Sequence, residues 1–513
     1  MQVPDTKHPS MDGAQAKISS LRPSLRLIAI YAIMCLFWVG FAGWLAPNVV
    51  SAAYDERNLS ILDWVFPDRS LPAEHYLDRW NVIAAAALLA AVLHLVIVLF
   101  IRGTGRKFDP RSSSHANATL VVFSAAFLAL AVLSGIQGDY KGYLDEWMRV
   151  VGGANPWDED SILKWGSNAY GNTYGPLFNA LALLAWLNPL TNKLLFAFSY
   201  LVYLIWLIKD FAPRRGVVIP WPWAALWLLN PFPWEQIAYF GYFDVLVALA
   251  CVAAVHSLVC GKDGISGIYL AFGILLKYMP IVILPFLVFS ERRFHFRLLS
   301  FCLGVVILGL VVSVIIWGTL TFFPVTFAAT RHSVWSIYVV LASSRSPLRL
   351  FFDSPNVDWL DKPLLLTTGL ATFAWCSLRQ IEPVLSSVLA ILVTLLFYRI
   401  GYANYQMVLF CLISYWVVSN WTRFKQPSVL AALLVGYFSF LAVENLVFWW
   451  FVVQTIPHLE TLASLFQFLL GCALFFSLVQ LRPTPCMELA PRATTDDQVN
   501  AAHCMKDVGR ALP

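Results

Sequence analysis

Long apolar runs recur along most of this 513-residue chain, between residues 25 and 481. Their lengths of about 17–25 residues are those that an α-helix needs to cross the hydrocarbon core of a membrane. The composition agrees, since 59% of the residues are hydrophobic and only 13% are charged, whereas a soluble domain carries about 25% charged residues. The sequence therefore predicts an all-α polytopic membrane protein, a bundle of about 12–14 transmembrane helices.

The predicted spans divide the chain into four parts. A cytoplasmic tail (1–24) precedes two helices with an acidic outer loop (25–116), the main helical domain (117–481) and a disordered cytoplasmic tail (482–513). Placing 137–174 outside and Arg214-Arg215 inside leaves an odd number of crossings between them. Either the segment 174–188, which is short and starts at Gly175-Pro176, is re-entrant or a broken half-helix, or one of the predicted spans is wrong. The predicted spans are 25–46, 82–101, 118–136, 190–208, 218–232, 236–258, 265–290 (broken by Pro280), 298–318, 363–378, 383–398, 403–420, 428–450 and 461–481.

Charge in the connecting loops orients these spans. Arginine and lysine are concentrated at 102–111, 214–215, 292–297 and 423–425, as expected of cytoplasmic loops. The opposite face is acidic, since residues 55–79 and 137–174 each carry six acids against three bases. The net charge of +5 is spread over short loops and gives no indication of a nucleic-acid partner.

The stretch GDYKGYLDEW, residues 138–147, follows the apolar run 120–136. It places Asp139 at the outer end of a predicted span, with tyrosines and two more acids behind it. A carboxylate at a membrane surface is suited to accept a proton from a hydroxyl group. The alternative is an ordinary helix end with interfacial aromatic anchors and solvated acids.

Two more segments place polar groups at the same face. WLLNPFPWEQIAYFGYFD, residues 227–244, combines aromatic rings with polar side chains, as in a sugar-binding loop, or as in an aromatic belt with polar caps. Lys277 lies in FGILLKYMP, beside a helix-breaking proline. It is either a phosphate ligand or a lysine that snorkels to the surface.

Arginines supply the remaining polar features. FYRIGYANYQMVLF, residues 397–410, sets Arg399 and Gln406 between two spans. The outer loop 319–362 holds five basic residues, counting His332, against three aspartates. Bases on an otherwise acidic face indicate an anion to be bound there, although contacts to lipid head groups or nearby acids would also account for them.

Taken in order, these segments resemble the GT-C glycosyltransferases that take sugars from polyprenyl phosphates. The resemblance covers roughly residues 117–480 and is nearest to the GPI mannosyltransferase I catalytic subunit and to the bacterial polyprenol-phosphate-mannose and arabinofuranose transferases. The family's Asp-x-Asp keeps only its second acid here, in Gln137-Gly138-Asp139. The similar segments are DYKGYLD (139–145), GGANPW (152–157), YGPLFNALALLAWLNP (174–189), WLLNP (227–231) with GYFD (241–244), AFGILLKYMP (271–280), RHSVWSIY (331–338) and RIGYANYQ (399–406).

The resemblance implies a GT-C-type bundle with the catalytic acid on an extracytoplasmic loop. It implies transfer of a sugar, mannose being favoured, from a polyprenyl-phosphate donor to a glycolipid or polysaccharide acceptor by inverting displacement. Asp139 is assigned as the base, because one carboxylate suffices when the leaving group is a phosphate. The residues assigned to the donor phosphate are Lys277, Arg331, His332 and Arg399, and those assigned to the sugar or acceptor are Tyr140, Asp145, Glu146, Trp234, Asp244 and Gln406.

No cofactor is expected, and a divalent metal is left open because acids cluster at 137–160. The partners are the lipid-linked donor, the acceptor and membrane lipids, and the predicted location is a bacterial inner membrane with the site facing outward. Two alternatives remain. A flippase or transporter would carry ionisable groups near the bilayer midplane, and an O-antigen ligase or polymerase would carry a long arginine-rich outer loop.

Overall fold

The computed structural model describes residues 107–108, 114–136, 139–158, 172–217, 219–220, 227–328, 336–342, 361–420, 427–447 and 459–480. The predicted spans 25–46 and 82–101 and both predicted tails lie outside these residues. Arg331 and His332 lie outside them as well.

The described elements are almost entirely helical. The regular α-helices are α1 Ser114–Leu133, α2 Asp139–Val151, α3 Pro176–Ala180, α4 Ala182–Leu187, α5 Thr191–Ile205, α6 Asp244–Val259, α7 Asp263–Leu276, α8 Leu284–Val288, α9 Phe296–Trp317, α10 Phe323–Ala328, α11 Ile337–Ala342, α12 Asp361–Arg379, α13 Pro383–Phe397, α14 Gln406–Ser419, α15 Pro427–Val447 and α16 Leu459–Gln480. Short helical turns cover Ala212–Arg214 and Pro231–Pro233, π-helical turns cover Trp206–Phe211 and Trp234–Tyr239, and 3₁₀ turns cover Met279–Ile283, Gly318–Phe322 and Ala403–Tyr405. Strands β1 Lys107–Phe108 and β2 Ile219–Pro220 form one short antiparallel pair.

The all-α polytopic class predicted from the sequence is confirmed. Among the described residues, three helices are long and apolar enough to cross a membrane, namely Thr191–Arg214, Phe296–Val325 and Ala463–Gln480. A fourth span is formed if Trp227–Tyr239 and Asp244–Val259 count together as one broken helix. The total of about 12–14 spans stays a prediction.

Packing divides the chain into two compact units. Unit 1 consists of Met1–Ala154, Leu181–Val245 and Leu434–Ala463, and unit 2 of Asn155–Ala180, Leu246–Leu433 and Ser464–Pro513. Each unit has its own buried core.

The core of unit 1 is aromatic. The Trp234 ring stands edge-on to the rings of Phe123 and Phe127, with both centroid distances at 5.3 Å. Tyr200 packs on Phe127 at 5.4 Å and donates its hydroxyl hydrogen to the Trp227 carbonyl oxygen at 3.1 Å. These contacts fasten α1 and α5 to the segment 227–239, because large rings bury more apolar area than any other side chains.

The core of unit 2 is built around α13, whose residues from Pro383 to Val393 are all buried. It packs against α12, α14 and the 3₁₀ turn at 279–283. By contrast, α9 keeps apolar side chains such as Leu308 and Ile315 exposed. An apolar helix with so much exposed surface is suited to lie against lipid.

Two of the predicted spans are wrong in their bounds. Residues 218–232 do not form one helix, because Ile219–Pro220 is extended and pairs with β1. The predicted span 236–258 is interrupted, since the π-helical turn ends at Tyr239 and α6 begins only at Asp244. Proline at 220, which lacks a backbone N–H, explains the first error. Gly241 at φ +70° explains the second.

Two predicted breaks are confirmed. The segment 174–188 consists of the short helices α3 and α4. The predicted span 265–290 is broken near Pro280, because α7 ends at Leu276 and a 3₁₀ turn begins at Met279.

Candidate active site

Asp139 is the first residue of α2, and it is exposed. The opposite face of this amphipathic helix is buried, with Tyr140, Tyr143 and Trp147 at helical spacing. An acid at a helix N-terminus interacts favourably with the helix dipole. A carboxylate on a helix with a buried aromatic face therefore lies at the surface of unit 1.

Tyr140 fastens the start of α2. Its hydroxyl donates to the Pro189 carbonyl oxygen at 2.5 Å and accepts a hydrogen bond from the Lys193 backbone N–H at 3.2 Å. Burial raises the pKa of Tyr140 far above its ordinary value, so the phenol stays protonated and keeps donating. Tyr140 was predicted to line the sugar pocket, but it lies in the core and supports Asp139 from behind.

Lys193 is a residue of this region that the sequence did not single out. It is fully buried near the start of α5. Its Nζ donates to the Ser134 hydroxyl at 2.6 Å and to the Gly135 and Tyr239 carbonyl oxygens at 2.7 Å and 2.6 Å. These three bonds tie the turn after α1 to the end of the π-helical turn.

Gly241 completes this junction. A Cβ atom at this position would lie 2.9 Å from Cδ2 of Tyr140 and 3.0 Å from Cγ of Lys193. Its φ of +70° is also one that glycine adopts without strain. The break between the π-helical turn and α6 is thus packed directly on the residues that hold Asp139.

The other predicted sugar- or acceptor-binding residues of unit 1 differ in accessibility. Asp145 is exposed on α2, whereas Glu146 is buried and lies 3.9 Å from Arg149. Asp244 is fully buried at the start of α6. Trp234 is also fully buried and donates its Nε1 hydrogen to the Leu228 carbonyl oxygen at 2.8 Å. Trp234 therefore lies in the core, and Asp145 is the member of this set that a ligand reaches directly.

Lys277 is the centre of a second group, in unit 2. It follows α7 in extended conformation, and the preceding carbonyl, that of Leu276, accepts a hydrogen bond from the Gly175 N–H at 3.1 Å. A Cβ atom at Gly175 would lie 2.1 Å from the Leu275 carbonyl oxygen. Only glycine allows this close approach, which fixes the backbone around Lys277.

The Lys277 ammonium lies over aromatic rings. Its Nζ is 3.7 Å from the ring centroid of Tyr405 and 5.8 Å from that of Tyr174. Such cation–π contacts contribute about 0.5–2 kcal/mol, more when the site is desolvated. Lys277 is buried, with an exposed fraction of 6%. The lysine therefore does not extend to the surface as a snorkelling residue would.

A cavity of about 240 Å³, the lysine cavity, adjoins this ammonium. Its lining is mostly apolar and is supplied by several distant segments. The lining residues are Thr173, Lys277, Tyr278, Met279, Val282, Pro324, Val325, Leu365, Thr394, Tyr398, Ile400 and Tyr405. One cation beside an apolar wall is suited to an amphiphilic anion.

Arg399 is held by a carboxylate that the sequence analysis did not single out. Its Nε donates to Oδ2 of Asp361 at 2.7 Å, and both side chains are almost fully buried. Arg399 is therefore neutralised within unit 2, which weakens its attraction for a second anion. Gln406 is likewise buried, at the start of α14.

The structure thus places the described candidates in two groups. Asp139, Tyr140, Asp145, Glu146, Trp234 and Asp244 lie in unit 1, and Lys277, Arg399 and Gln406 lie in unit 2. Within the described ranges, no group of three or more His, Cys, Asp or Glu side chains has a geometry that could hold a metal ion.

Comparison with known proteins indicates the class. The apolar spans and the sequence match together indicate a membrane glycosyltransferase. The match is to glycosyltransferase family 87 and covers residues 172–399, which include Lys193, Lys277 and Arg399 but not Asp139. No curated protein and no solved structure matches the chain.

Proposed function

We propose that this membrane glycosyltransferase moves a sugar, with mannose favoured, from a polyprenyl-phosphate donor to a glycolipid or polysaccharide acceptor by inverting displacement. The observation that carries the proposal is the buried ammonium of Lys277 beside a mostly apolar cavity. A nucleotide sugar is polar throughout, whereas a polyprenyl-phosphate sugar joins an anionic phosphate to a hydrocarbon chain. The lysine cavity is complementary to the second kind of donor.

The reaction exchanges one bond at the anomeric carbon. The acceptor hydroxyl oxygen bonds to that carbon as the bond to the phosphate oxygen breaks, and the phosphate leaves with the electron pair. Asp139 takes the hydroxyl proton, because it is an exposed carboxylate on an anchored helix. Lys277 stabilises the charge on the departing phosphate oxygens. Arg331 and His332 are proposed to add to this stabilisation. Arg399 contributes less, because it is paired with Asp361.

The site is proposed to face the outside of a bacterial inner membrane. The support is the distribution of charge in the sequence, since the arginine-rich loops and the acidic loops alternate across the predicted spans. Asp145 and Glu146 remain proposed sugar or acceptor ligands, and Tyr140, Trp234 and Asp244, which are buried in the same unit, are proposed to assist them. Gln406, which is buried in unit 2, is proposed as a further ligand of the sugar or acceptor. A divalent metal is not part of the proposal.

The test is a transfer assay with purified protein in detergent. Short-chain polyprenyl-phosphate mannose carrying a labelled sugar is supplied with a membrane-glycolipid extract, and released polyprenyl phosphate and labelled product are measured. Parallel reactions contain the arabinofuranose donor or a nucleotide sugar. We expect turnover with a lipid-linked donor alone, and turnover with only the nucleotide sugar would overturn the proposal.

Lys277→Met provides the matched variant, because methionine keeps much of the side-chain volume and removes the charge. We expect the apparent KM for the lipid donor to rise at least 10-fold, which corresponds to about 1.4 kcal/mol of lost binding. Arg297→Met, at an exposed position that does not line the lysine cavity, is the control and should behave as the wild type. A flippase would give a different result, since it would move the lipid without releasing polyprenyl phosphate.

A further inference from the structure

A second cavity in unit 2 has the features of a lipid-binding site. This arginine cavity, of about 420 Å³, lies between the loop 289–294 and the segment 377–381, which contains the end of α12 and the turn after it. Phe286, Phe289, Phe294 and Phe373 form its aromatic wall, and Arg292 and Arg293 supply its positive charge.

The aromatic wall is a connected structure. The ring of Phe373 stands edge-on to those of Phe286 and Phe289, at 5.4 Å and 5.9 Å, and Phe289 contacts Phe294 at 5.0 Å. Phe289 and Phe294 are each 51% exposed. Exposed rings joined in this way offer a surface on which an acyl chain can lie.

The backbone around the cavity is held in an unusual conformation. Glu291, Arg292 and Gln380 have φ values of 53°, 59° and 53°, and they are the non-glycine residues with positive φ within the described part of the chain. All three line the arginine cavity. Left-handed conformations of such residues concentrate at functional sites.

The arginine cavity is separate from the lysine cavity. Ser386, near the start of α13, lines the first, and Thr394, near its end, lines the second. Eight residues of helix separate these positions by about 12 Å along its axis. In addition, the 289–295 loop reaches the start of α7 through the His295–Asp263 contact of 2.9 Å, whereas Lys277 follows the end of α7.

We infer that the arginine cavity binds the head group of an anionic phospholipid, with one acyl chain along the aromatic wall. The two guanidinium groups and the Glu291 carboxylate leave one net positive charge, which matches one phosphodiester. Guanidinium groups bind phosphate oxygens through paired donors. The neighbouring helix α9 exposes apolar side chains along its length, so bilayer lipid has direct access.

Native mass spectrometry of the full-length protein in detergent tests this inference. Phosphatidylglycerol and phosphatidylcholine with identical acyl chains are the probes. We expect the wild type to retain one phosphatidylglycerol in preference to phosphatidylcholine. The variant Arg292→Gln/Arg293→Gln should lose this preference at least 10-fold. The control Arg214→Gln/Arg215→Gln removes another exposed arginine pair, outside the cavity, and should keep it.

A second variant separates the cavity from surface charge. Ser377→Trp places a ring in the cavity and leaves every charge in place, and it should also lose the retained phosphatidylglycerol while keeping the wild-type melting temperature. Retention by Ser377→Trp, or loss in the Arg214/Arg215 control, would mean nonspecific attraction and overturn the inference. Displacement by excess inorganic phosphate, or preferential retention of polyprenyl phosphate, would overturn it as well.

Discussion

Replacing Lys193 with methionine tests the junction that holds Asp139. The substitution removes the three hydrogen bonds made by Nζ. The Ser134 hydroxyl keeps other partners, the Ala238 and Tyr239 carbonyl oxygens at 3.1 Å and 3.3 Å. The Tyr239 carbonyl oxygen thereby keeps the Ser134 hydroxyl as a donor, so the main loss falls on the Gly135 carbonyl oxygen.

The magnitude follows from this one carbonyl group. A buried polar group left without a partner costs about 1–3 kcal/mol. Removing a buried amine also relieves its desolvation, which places our expectation in the lower half of that range. For a protein whose net stability is about 5–15 kcal/mol, the loss is large enough to measure.

Thermal unfolding in detergent and the transfer assay provide the two measurements. We expect Lys193→Met to unfold at a clearly lower temperature than Lys362→Met, which alters an exposed lysine. Well below its melting temperature, Lys193→Met should lose kcat more than it raises KM, because Asp139 is displaced rather than removed. A variant with wild-type stability and wild-type kcat would refute the reasoning about this junction.

The remaining predictions concern other contacts of the two groups. Asp139→Asn should keep the wild-type melting temperature and lose nearly all transfer, whereas activity within a few-fold of wild type removes Asp139 from the chemistry. Gly241→Ala should destabilise the protein by about 1–2 kcal/mol from its left-handed backbone alone, with more from the clash behind it. Gly304→Ala in α9 is the control and should not destabilise the protein, because a Cβ atom there meets nothing within 4 Å. Equal melting temperatures for Gly241→Ala and Gly304→Ala would contradict this account. Asp361→Asn should cost about 3–5 kcal/mol by leaving Arg399 buried and uncompensated, and Asp361→Leu/Arg399→Met should recover much of that stability. If the double variant does not have a higher melting temperature than Asp361→Asn, the result would argue against a buried ion pair.

The fold class and most helix bounds could be predicted because apolar length and proline position act locally. The predicted spans 298–318 and 383–398 differ from α9 and α13 by no more than two residues at either end. The errors at 218–232 and 236–258 arose where aromatic residues continued the apolar pattern through a turn. Tertiary contacts, not hydropathy, decide where the chain bends there.

The buried contacts that hold the candidate site residues in place could not be predicted in the same way. Lys193 stands in the sequence TNKLLFAF, beside a proline and polar residues, as an ordinary lysine at a helix end does. Its burial depends on oxygens 46 to 59 residues away along the chain. Asp361 was likewise counted only as one acid in a basic loop, although it pairs with Arg399 across 38 residues. Contacts between residues so far apart in the sequence can be identified only from the folded structure.

The ring of Tyr405 beneath the Lys277 ammonium has a consequence for turnover. In the proposed reaction, a donor phosphate that approaches Lys277 replaces the electron-rich face of this ring as the partner of the ammonium, so its net attraction is smaller than that of an unpaired cation. The ring regains the cation when the polyprenyl phosphate leaves. An enzyme gains little from binding its product too tightly, and on this proposal Tyr405 lowers the affinity for the lipid phosphate in both substrate and product.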